Sequence, residues 1–311
     1  MKILLTADWH IKLSQKNIPK QWAVDRYYSL IDQVNSIDCD IHVVAGDVFD
    51  RLPSLEELQI FCGFVMKAKV PTIIFDGNHC ATKKGQTFLG KLQGIASRLN
   101  DKVSIVTEVT EYEWGTILPY CKLHKKGVFS EINTNKPLFT HVRGEIPPHV
   151  KPEIDLDLLS DFPIVYAGDL HSHSNSQRNI IYPGSPVTTS FHRSLVDTGY
   201  ILLEGTEWSW YNFDVPQLIR KTVSSEEEMV KTDYHHTIYE VEGDITSLAN
   251  VNNTELLDKK VVKRNTESTL VFDKSMTVVD ELMDYLLYIL EIPEDTAKEV
   301  IGVFSDYIKE T

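Results

Sequence analysis

The chain has 311 residues, of which 42% are apolar and 24% charged, as is typical of a globular protein that buries its own core. Its formal net charge of -14 argues against simple attraction to DNA or to an anionic membrane, unless bound cations or a basic partner alter the balance. The four cysteines form no CxxC pair, so zinc-finger and secreted disulfide frameworks have little support. No apolar run has the length of a signal peptide or a membrane span, and we therefore expect a cytoplasmic protein without a membrane segment.

Predicted strands and helices alternate over the first hundred residues. Apolar runs predict strands at Ile3–Ala7, Ile41–Ala45 and Thr72–Phe75, and 3.6-residue periodicity predicts helices near residues 22–37, 54–68 and 86–99. Ser54 and Glu57 have the spacing of a capping box, which predicts where the second helix begins. This order is typical of a parallel sheet with crossover helices.

Strands predominate in the middle of the chain, and helices return at its end. The middle strands are predicted at 103–106, 116–119, 137–141, 163–168, 179–182 and 199–204. A change of composition near Asp214 introduces a smaller α+β region with strand-like segments at 236–241, 260–263 and 269–272. Two amphipathic helices follow at about 278–290 and 294–308. We therefore predict three domains, at 1–213, 214–275 and 276–311.

Metal-binding side chains follow five of the predicted strands, at the point where each strand ends. In chain order they are Asp8 and His10; Asp47 and Asp50; Asn78 and His79; His141; and Asp169, His171 and His173. Since the carboxyl ends of parallel strands meet at one edge of a sheet, these side chains should gather there. Carboxylate, imidazole and amide donors suit Mn²⁺, Fe²⁺ or Zn²⁺ better than Ca²⁺. A shared carboxylate can bridge two cations ~3.5–4 Å apart, a separation used for phosphoester displacement.

The segments DWH, GDVFD, GNH, a lone strand-end histidine and GDLH resemble, in this order, the motifs of the calcineurin-like metallophosphoesterases. The most similar branch is the SbcD nuclease family with its small phage-encoded members. The resemblance is strong over residues 1–200 and looser beyond them. It implies an α/β fold with a β-sandwich core flanked by helices, a small α+β capping domain that contacts DNA, and a C-terminal helix pair.

The resemblance also implies a role for each motif residue around two Mn²⁺ ions per chain, with Mg²⁺ possible in vivo. Asp8, His10 and His171 match ligands of the first metal, Asp47 the bridging carboxylate, Asn78, His141 and Asp169 ligands of the second metal, and His79 the catalytic histidine that binds no metal. The family usually has Gly-His-x-His where this chain has Gly168-Asp169-Leu170-His171, so His173 is an alternative ligand to Asp169. Cys80 stands where many relatives carry a carboxylate, which leaves open the group that supports His79.

The function implied by the resemblance is that of a DNA nuclease working with an SbcC-like ATPase in recombination and double-strand-break processing. Relatives act as 3′-to-5′ exonucleases on duplex ends and as endonucleases on single strands, commonly as homodimers. The C-terminal helices would dock on the ATPase, in the host cytoplasm if the chain is phage-encoded. Two alternatives stay open. One is a small-molecule or cyclic-nucleotide phosphodiesterase of the same superfamily, and the other is a scaffold that has lost its metals.

Overall fold

Strands and helices alternate over the first hundred residues of the computed structural model, as the sequence predicted. The structure describes residues 1–83, 86–262, 276–290 and 292–309. The strands within this part of the chain are β1 (Lys2–Thr6), β2 (Ile41–Ala45), β3 (Thr72–Phe75), β4 (Ala81–Lys83), β5 (Gln86–Thr87), β6 (Val103–Val106), β7 (Thr110–Tyr112), β8 (Gly115–Leu118), β9 (Leu138–His141), β10 (Val165–Gly168), β11 (Ile180–Ile181), β12 (Gly199–Glu204), β13 (Glu207–Asn212), β14 (Leu218–Val223), β15 (His236–Gly243) and β16 (Leu257–Val262). The α-helices are α1 (Lys20–Val34), α2 (Leu55–Lys67), α3 (Gln93–Leu99), α4 (Tyr120–Leu123), α5 (Ile245–Ala249), α6 (Val278–Asp284) and α7 (Glu294–Lys309).

Two large sheets form the centre of the fold. The first has the strand order β13-β12-β1-β2-β3-β6, and the second has the order β11-β10-β9-β8-β7. Strands β1, β2, β3 and β6 run parallel, as do β8, β9, β10 and β11. A three-stranded sheet, β14-β15-β16, and the β4-β5 hairpin are separate from them. This arrangement confirms the predicted α/β fold with a β-sandwich core.

Alternating side chains of the buried strands build two different hydrophobic layers. Leu5 of β1 packs with Val43 of β2 and with Phe139 and Tyr166 of the second sheet, so this layer lies between the sheets. Leu4, on the other face of β1, belongs to the layer formed with the residues of α1 and α2. Both faces of β1 are therefore buried, which explains its continuous apolar run.

The start of α2 confirms one prediction, and the segment before α3 overturns another. Ser54 Oγ accepts the Glu57 backbone N–H at 3.3 Å, and the Glu57 carboxylate accepts the Ser54 backbone N–H at 2.7 Å, which completes the predicted capping box. The helix predicted over residues 86–99 is wrong at its start: strand β5 occupies Gln86–Thr87, a 3₁₀-helix covers Leu89–Leu92, and α3 begins at Gln93. Before it, the Thr87 hydroxyl accepts the Leu89 N–H, a local bond that competes with helix formation.

The chain divides into two compact units, Met1–Val241 with Asn250–Lys260, and Glu242–Ala249 with Val261–Thr311. The domain boundaries at 213/214 and 275/276 rest on composition and stay a prediction. The second unit contains the predicted C-terminal helices, although the first of them ends in a π-helical turn at Tyr285–Ile289. The predicted strand at 269–272 lies outside the described residues. Among the described helices, none has both the length and the apolarity needed to cross a bilayer.

Candidate metal centre

The ends of strands β1, β2, β3, β9 and β10 meet at one place, as the sequence predicted. His141, at the end of β9, donates from Nδ1 to the Ala45 carbonyl at the end of β2, over 2.9 Å. The Asp169 backbone N–H, beyond β10, lies 3.1 Å from both carboxylate oxygens of Asp8, beyond β1. The polar residues that follow each sheet's strands therefore face those of the other sheet.

The backbone at these strand ends adopts conformations that are uncommon for residues other than glycine. The φ angles are +55° at Asp8, +43° at His10, +47° at Asp47 and +101° at Asp169. Each such conformation costs on the order of 1–3 kcal/mol and persists only where the surrounding structure enforces it. Four of them in one small region indicate that the positions of these side chains matter for function.

Three overlapping groups of side chains could each hold a metal ion. The groups are Asp8, His10 and His171; His10, Asp47 and His79; and Asp8, Asp47 and His141, with the ligand atoms of each group within 4.8 Å of one another. The Nε2 atoms of His10 and His171 are only 3.0 Å apart. His10 Nε2 also lies 3.9 Å from Asp8 Oδ1 and 3.9 Å from Asp47 Oδ2. Imidazole nitrogens and carboxylate oxygens therefore converge on shared points.

Asn78 and Asp169 lie next to His141. Asn78 Oδ1 is 3.2 Å from His141 Nε2, and Asp169 Oδ1 is 3.8 Å from the same nitrogen. His141 Nε2 is also 3.4 Å from Asp47 Oδ2. With these two, the structure brings together all eight residues that the sequence analysis named as ligands or catalyst.

His79 and His173 have different surroundings. His79 is exposed, and its Nδ1 donates to the Asp50 carbonyl over 2.6 Å, so a backbone oxygen orients its ring. Cys80 is fully buried in the hydrophobic layer under the helices and does not take that part. His173 donates from Nδ1 to the Tyr182 carbonyl and stacks on Trp210, with ring centroids 5.3 Å apart.

The electrostatics of the cluster favour a bound cation. Burial, together with the charges of Asp47 and Asp169, raises the pKa of Asp8 to about 8. Burial lowers the pKa of His10 to about 3, which leaves a neutral imidazole. Burial also lowers the pKa of His141, but the carboxylates of Asp47, Asp8 and Asp169 outweigh it and raise that pKa to about 10. Metal binding would displace the protons from Asp8 and His141, and imidazoles and carboxylates are the donor set of a divalent metal site, so the residues fit such an ion.

Supporting residues complete the site, and two of the four described next were not predicted from the sequence. Ser185 Oγ donates to the Asp8 carbonyl at 2.7 Å, and Thr189 Oγ1 is 3.1 Å from His171 Nδ1. A Cβ atom at Gly77 would lie 2.2 Å from Asp47 Oδ1, and one at Gly46 would lie 2.3 Å from His141 Nδ1. Those two glycines were visible within the motifs, whereas Ser185 and Thr189 are distant along the chain from the residues that they contact.

Comparison with known proteins identifies the class to which this fold and site belong. The calcineurin-like phosphoesterase family matches residues 1–197, and the chain belongs to that family. A relative named "Probable exonuclease subunit 1", from Escherichia phage T5, is 36% identical over 329 aligned positions, covering 100% of this chain and 99% of that protein.

Two further relatives come from viruses of invertebrates. Protein 244L of Invertebrate iridescent virus 6, provisionally named a phosphoesterase, is 29% identical and covers 65% of this chain and 75% of its own. Protein 078R of Invertebrate iridescent virus 3, with the same provisional name, is 24% identical and covers 73% and 70%. Family membership and the cluster of aspartates and histidines together imply a hydrolase that binds divalent metal ions.

Proposed function

We propose that this protein is a Mn²⁺-dependent DNA nuclease, with 3′-to-5′ exonuclease activity on duplex ends and endonuclease activity on single strands. The observation that carries the proposal is the convergence of aspartates and histidines from five strand ends, within a phosphoesterase. The full-length similarity to a phage protein named as an exonuclease subunit points to DNA as the substrate.

Each side chain of the cluster has a proposed part in holding two cations. Asp8, His10 and His171 would hold the first, Asn78, His141 and Asp169 would hold the second, and Asp47 would contribute to both. The Nδ1 bond of His173 to Tyr182 and its stacking on Trp210 favour Asp169 over His173 for the last position. The mixture of nitrogen and oxygen donors suits Mn²⁺, while Mg²⁺ could serve in vivo.

The chain's own groups then orient the reaction. Bound cations would supply an activated water near neutral pH and would offset negative charge on the phosphate. His79 is exposed at the edge of the cluster, with its ring centroid 4.8 Å from that of His10. Because its Nδ1 donates to Asp50, its Nε2 is free to hold the proton that the leaving oxygen takes up.

A cavity of about 700 Å³ beside His171 offers room for the organic part of the substrate. Its lining includes the hydroxyls of Ser172, Thr189 and Ser190 and the indole of Trp210, and it contains no lysine or arginine. Hydroxyl donors and an aromatic surface suit a sugar and a base better than a further phosphate. This lining supports a nucleotide substrate.

Because the chain is acidic, partner proteins would supply the positive charge that binding to DNA requires. The relative's name, with its "subunit 1", supports assembly with another protein, for which we propose an SbcC-like ATPase and a nuclease homodimer. In the second unit, Val278, Tyr288 and Val303 of the C-terminal helices are 63%, 63% and 74% exposed. We assign this apolar surface to the ATPase contact, and we assign the complex to recombination and double-strand-break processing. A basic partner would also offset the net charge of -14 near DNA.

The variant His79→Ala tests the proposed mechanism. Manganese content should be retained, while cleavage of linear DNA should fall by roughly 10²–10⁴-fold, the contribution of a general acid. His149→Ala is the matched control, since His149 is exposed and lies outside the cluster. Cleavage by the His79 variant at the wild-type rate would refute the assignment.

A small-molecule or cyclic-nucleotide phosphodiesterase would use the same metal centre. The rates on bis-p-nitrophenyl phosphate and on linear DNA, each with Mn²⁺, Mg²⁺ and EDTA, separate the two functions. A nuclease should cleave DNA with the higher kcat/KM, and addition of the ATPase should raise it further. Failure to bind manganese at millimolar concentration would instead favour a scaffold without activity.

A further inference from the structure

A guanidinium group lies at the edge of the cluster without a part in the ligand set. Arg143 Nε is 3.5 Å from Asp169 Oδ2, and the arginine side chain is 41% exposed. Within the described residues, its Nη nitrogens make no hydrogen bond. The guanidinium therefore has its Nε nearest to the site and two Nη groups without a hydrogen-bond partner in the described part of the chain.

The chain holds Arg143 firmly at this edge. It follows His141, the last residue of β9, by two residues. The Arg143 carbonyl accepts the Glu153 N–H at 3.1 Å, and the Glu153 carboxylate lies 3.5 Å from the Arg143 N–H. Glu153 in turn accepts the Tyr120 hydroxyl at 2.5 Å. A backbone fixed in this way is a suitable base for a recognition side chain.

The charges near Arg143 indicate what it would bind. Asp169 is the only described carboxylate within ion-pair distance of it, and the closest approach is through Nε. A guanidinium is a planar fork whose remaining N–H groups match the two non-bridging oxygens of a phosphodiester. Asp169 would thus orient the guanidinium and leave its Nη groups open to an anion beside the metal cluster.

We propose that Arg143 binds a non-bridging oxygen of the scissile phosphate, with Asp169 as its positioning residue. The inference rests on the proposed phosphodiesterase function of the cluster, although not on DNA as the substrate. It makes Arg143 a substrate-binding residue of the reaction, separate from the metal ligands and from His79.

The test compares Arg143→Gln and Arg143→Lys with the control Arg178→Gln. Arg178 also pairs with an aspartate, Asp157, but at the exposed surface away from the cluster. Three quantities are measured: kcat/KM on bis-p-nitrophenyl phosphate and on DNA, the inhibition constant of inorganic phosphate, and Mn²⁺ affinity by calorimetry.

Arg143→Gln should lower kcat/KM on both substrates by about 10–100-fold, as expected for a lost hydrogen bond to a charged group. It should weaken inhibition by phosphate about 10-fold, while Mn²⁺ affinity stays unchanged or rises because a nearby positive charge is gone. Arg143→Lys should give intermediate values, and the control should match wild type.

Unchanged kcat/KM and phosphate inhibition would overturn the proposal, as would a loss of Mn²⁺ binding that parallels the loss of activity. A wild-type protein that hydrolyses bis-p-nitrophenyl phosphate but not DNA would refute the nuclease function alone, since the variants would still test Arg143 on the small substrate.

Discussion

The two sides of the cluster are built in different ways. On the side of Asp8, His10 and His171, the exposed His171 ring is held through a side chain, since its Nδ1 lies 3.1 Å from the Thr189 hydroxyl, and His10 Nδ1 has no hydrogen-bond partner among the described residues. On the other side, the fully buried His141 donates to a backbone carbonyl, that of Ala45. The imidazole of the second side should therefore be held rigidly, and those of the first side should be more adjustable.

The largest effect is expected at Asp47, which lies between the two sides. Asp47→Asn removes the negative charge that is proposed to bridge both cations, so both should bind more weakly. We expect hydrolysis of bis-p-nitrophenyl phosphate to fall by at least about 10³-fold, since several kcal/mol of metal catalysis are lost. Metal content by mass spectrometry should fall with it. If the variant retained two tightly bound ions per chain, Asp47 would not be the bridge.

Gly77→Ala tests the rigidity of the second side. The new Cβ would lie 2.2 Å from Asp47 Oδ1 and 2.7 Å from the Asp47 backbone nitrogen, so the Asp47 turn must move. Activity should fall by about 10²-fold, since a shift of about 1 Å can have that effect.

Gly94→Ala is the matched control for Gly77→Ala. A Cβ at Gly94, within helix α3, would have nothing within 4 Å. This change should leave activity intact and raise the free energy of unfolding by about 0.5–1 kcal/mol in denaturant titrations. Equal activities of the two alanine variants would show that the second side is not rigid.

Thr189→Val tests the adjustable side. Loss of the hydroxyl leaves the His171 ring without its Nδ1 partner, and loss of such support weakens metal binding by about 10–100-fold. The affinity for only one of the two Mn²⁺ ions should fall. In a calorimetric Mn²⁺ titration, one of the two binding steps should therefore shift to a higher Mn²⁺ concentration. If both steps moved equally, the two sides would not be independent.

Removal of metal tests the cluster through the stability of the fold. Asp8, Asp47 and Asp169 repel one another without cations, so binding should stabilise the fold. Mn²⁺ at 100 times its Kd should add about 2.7 kcal/mol per site to the free energy of unfolding. Scanning calorimetry with EDTA and with Mn²⁺ should show a higher Tm in the metal-loaded protein. A Tm that does not depend on Mn²⁺ would mean that these carboxylates hold no ion.

The same comparison explains what the sequence could predict. Asp8, Asp47 and His141 end short buried strands, and the rule that parallel strands share an edge brought them together in advance. Thr189, Ser185 and the Arg143–Asp169 contact depend on how distant segments pack, and no local pattern records that. The start of the helix predicted over residues 86–99 was wrong because its apolar spacing did not register the competing Thr87 hydroxyl.

The central claim is that two cations lie side by side at the joined strand ends, and electron paramagnetic resonance of the Mn²⁺-loaded protein tests it most directly. We expect two Mn²⁺ per chain with the spectrum of an exchange-coupled pair, and we expect Asp47→Asn to lose that coupling. A spectrum of isolated ions in the wild-type protein, or full phosphodiesterase activity with fewer than one ion per chain, would contradict the claim.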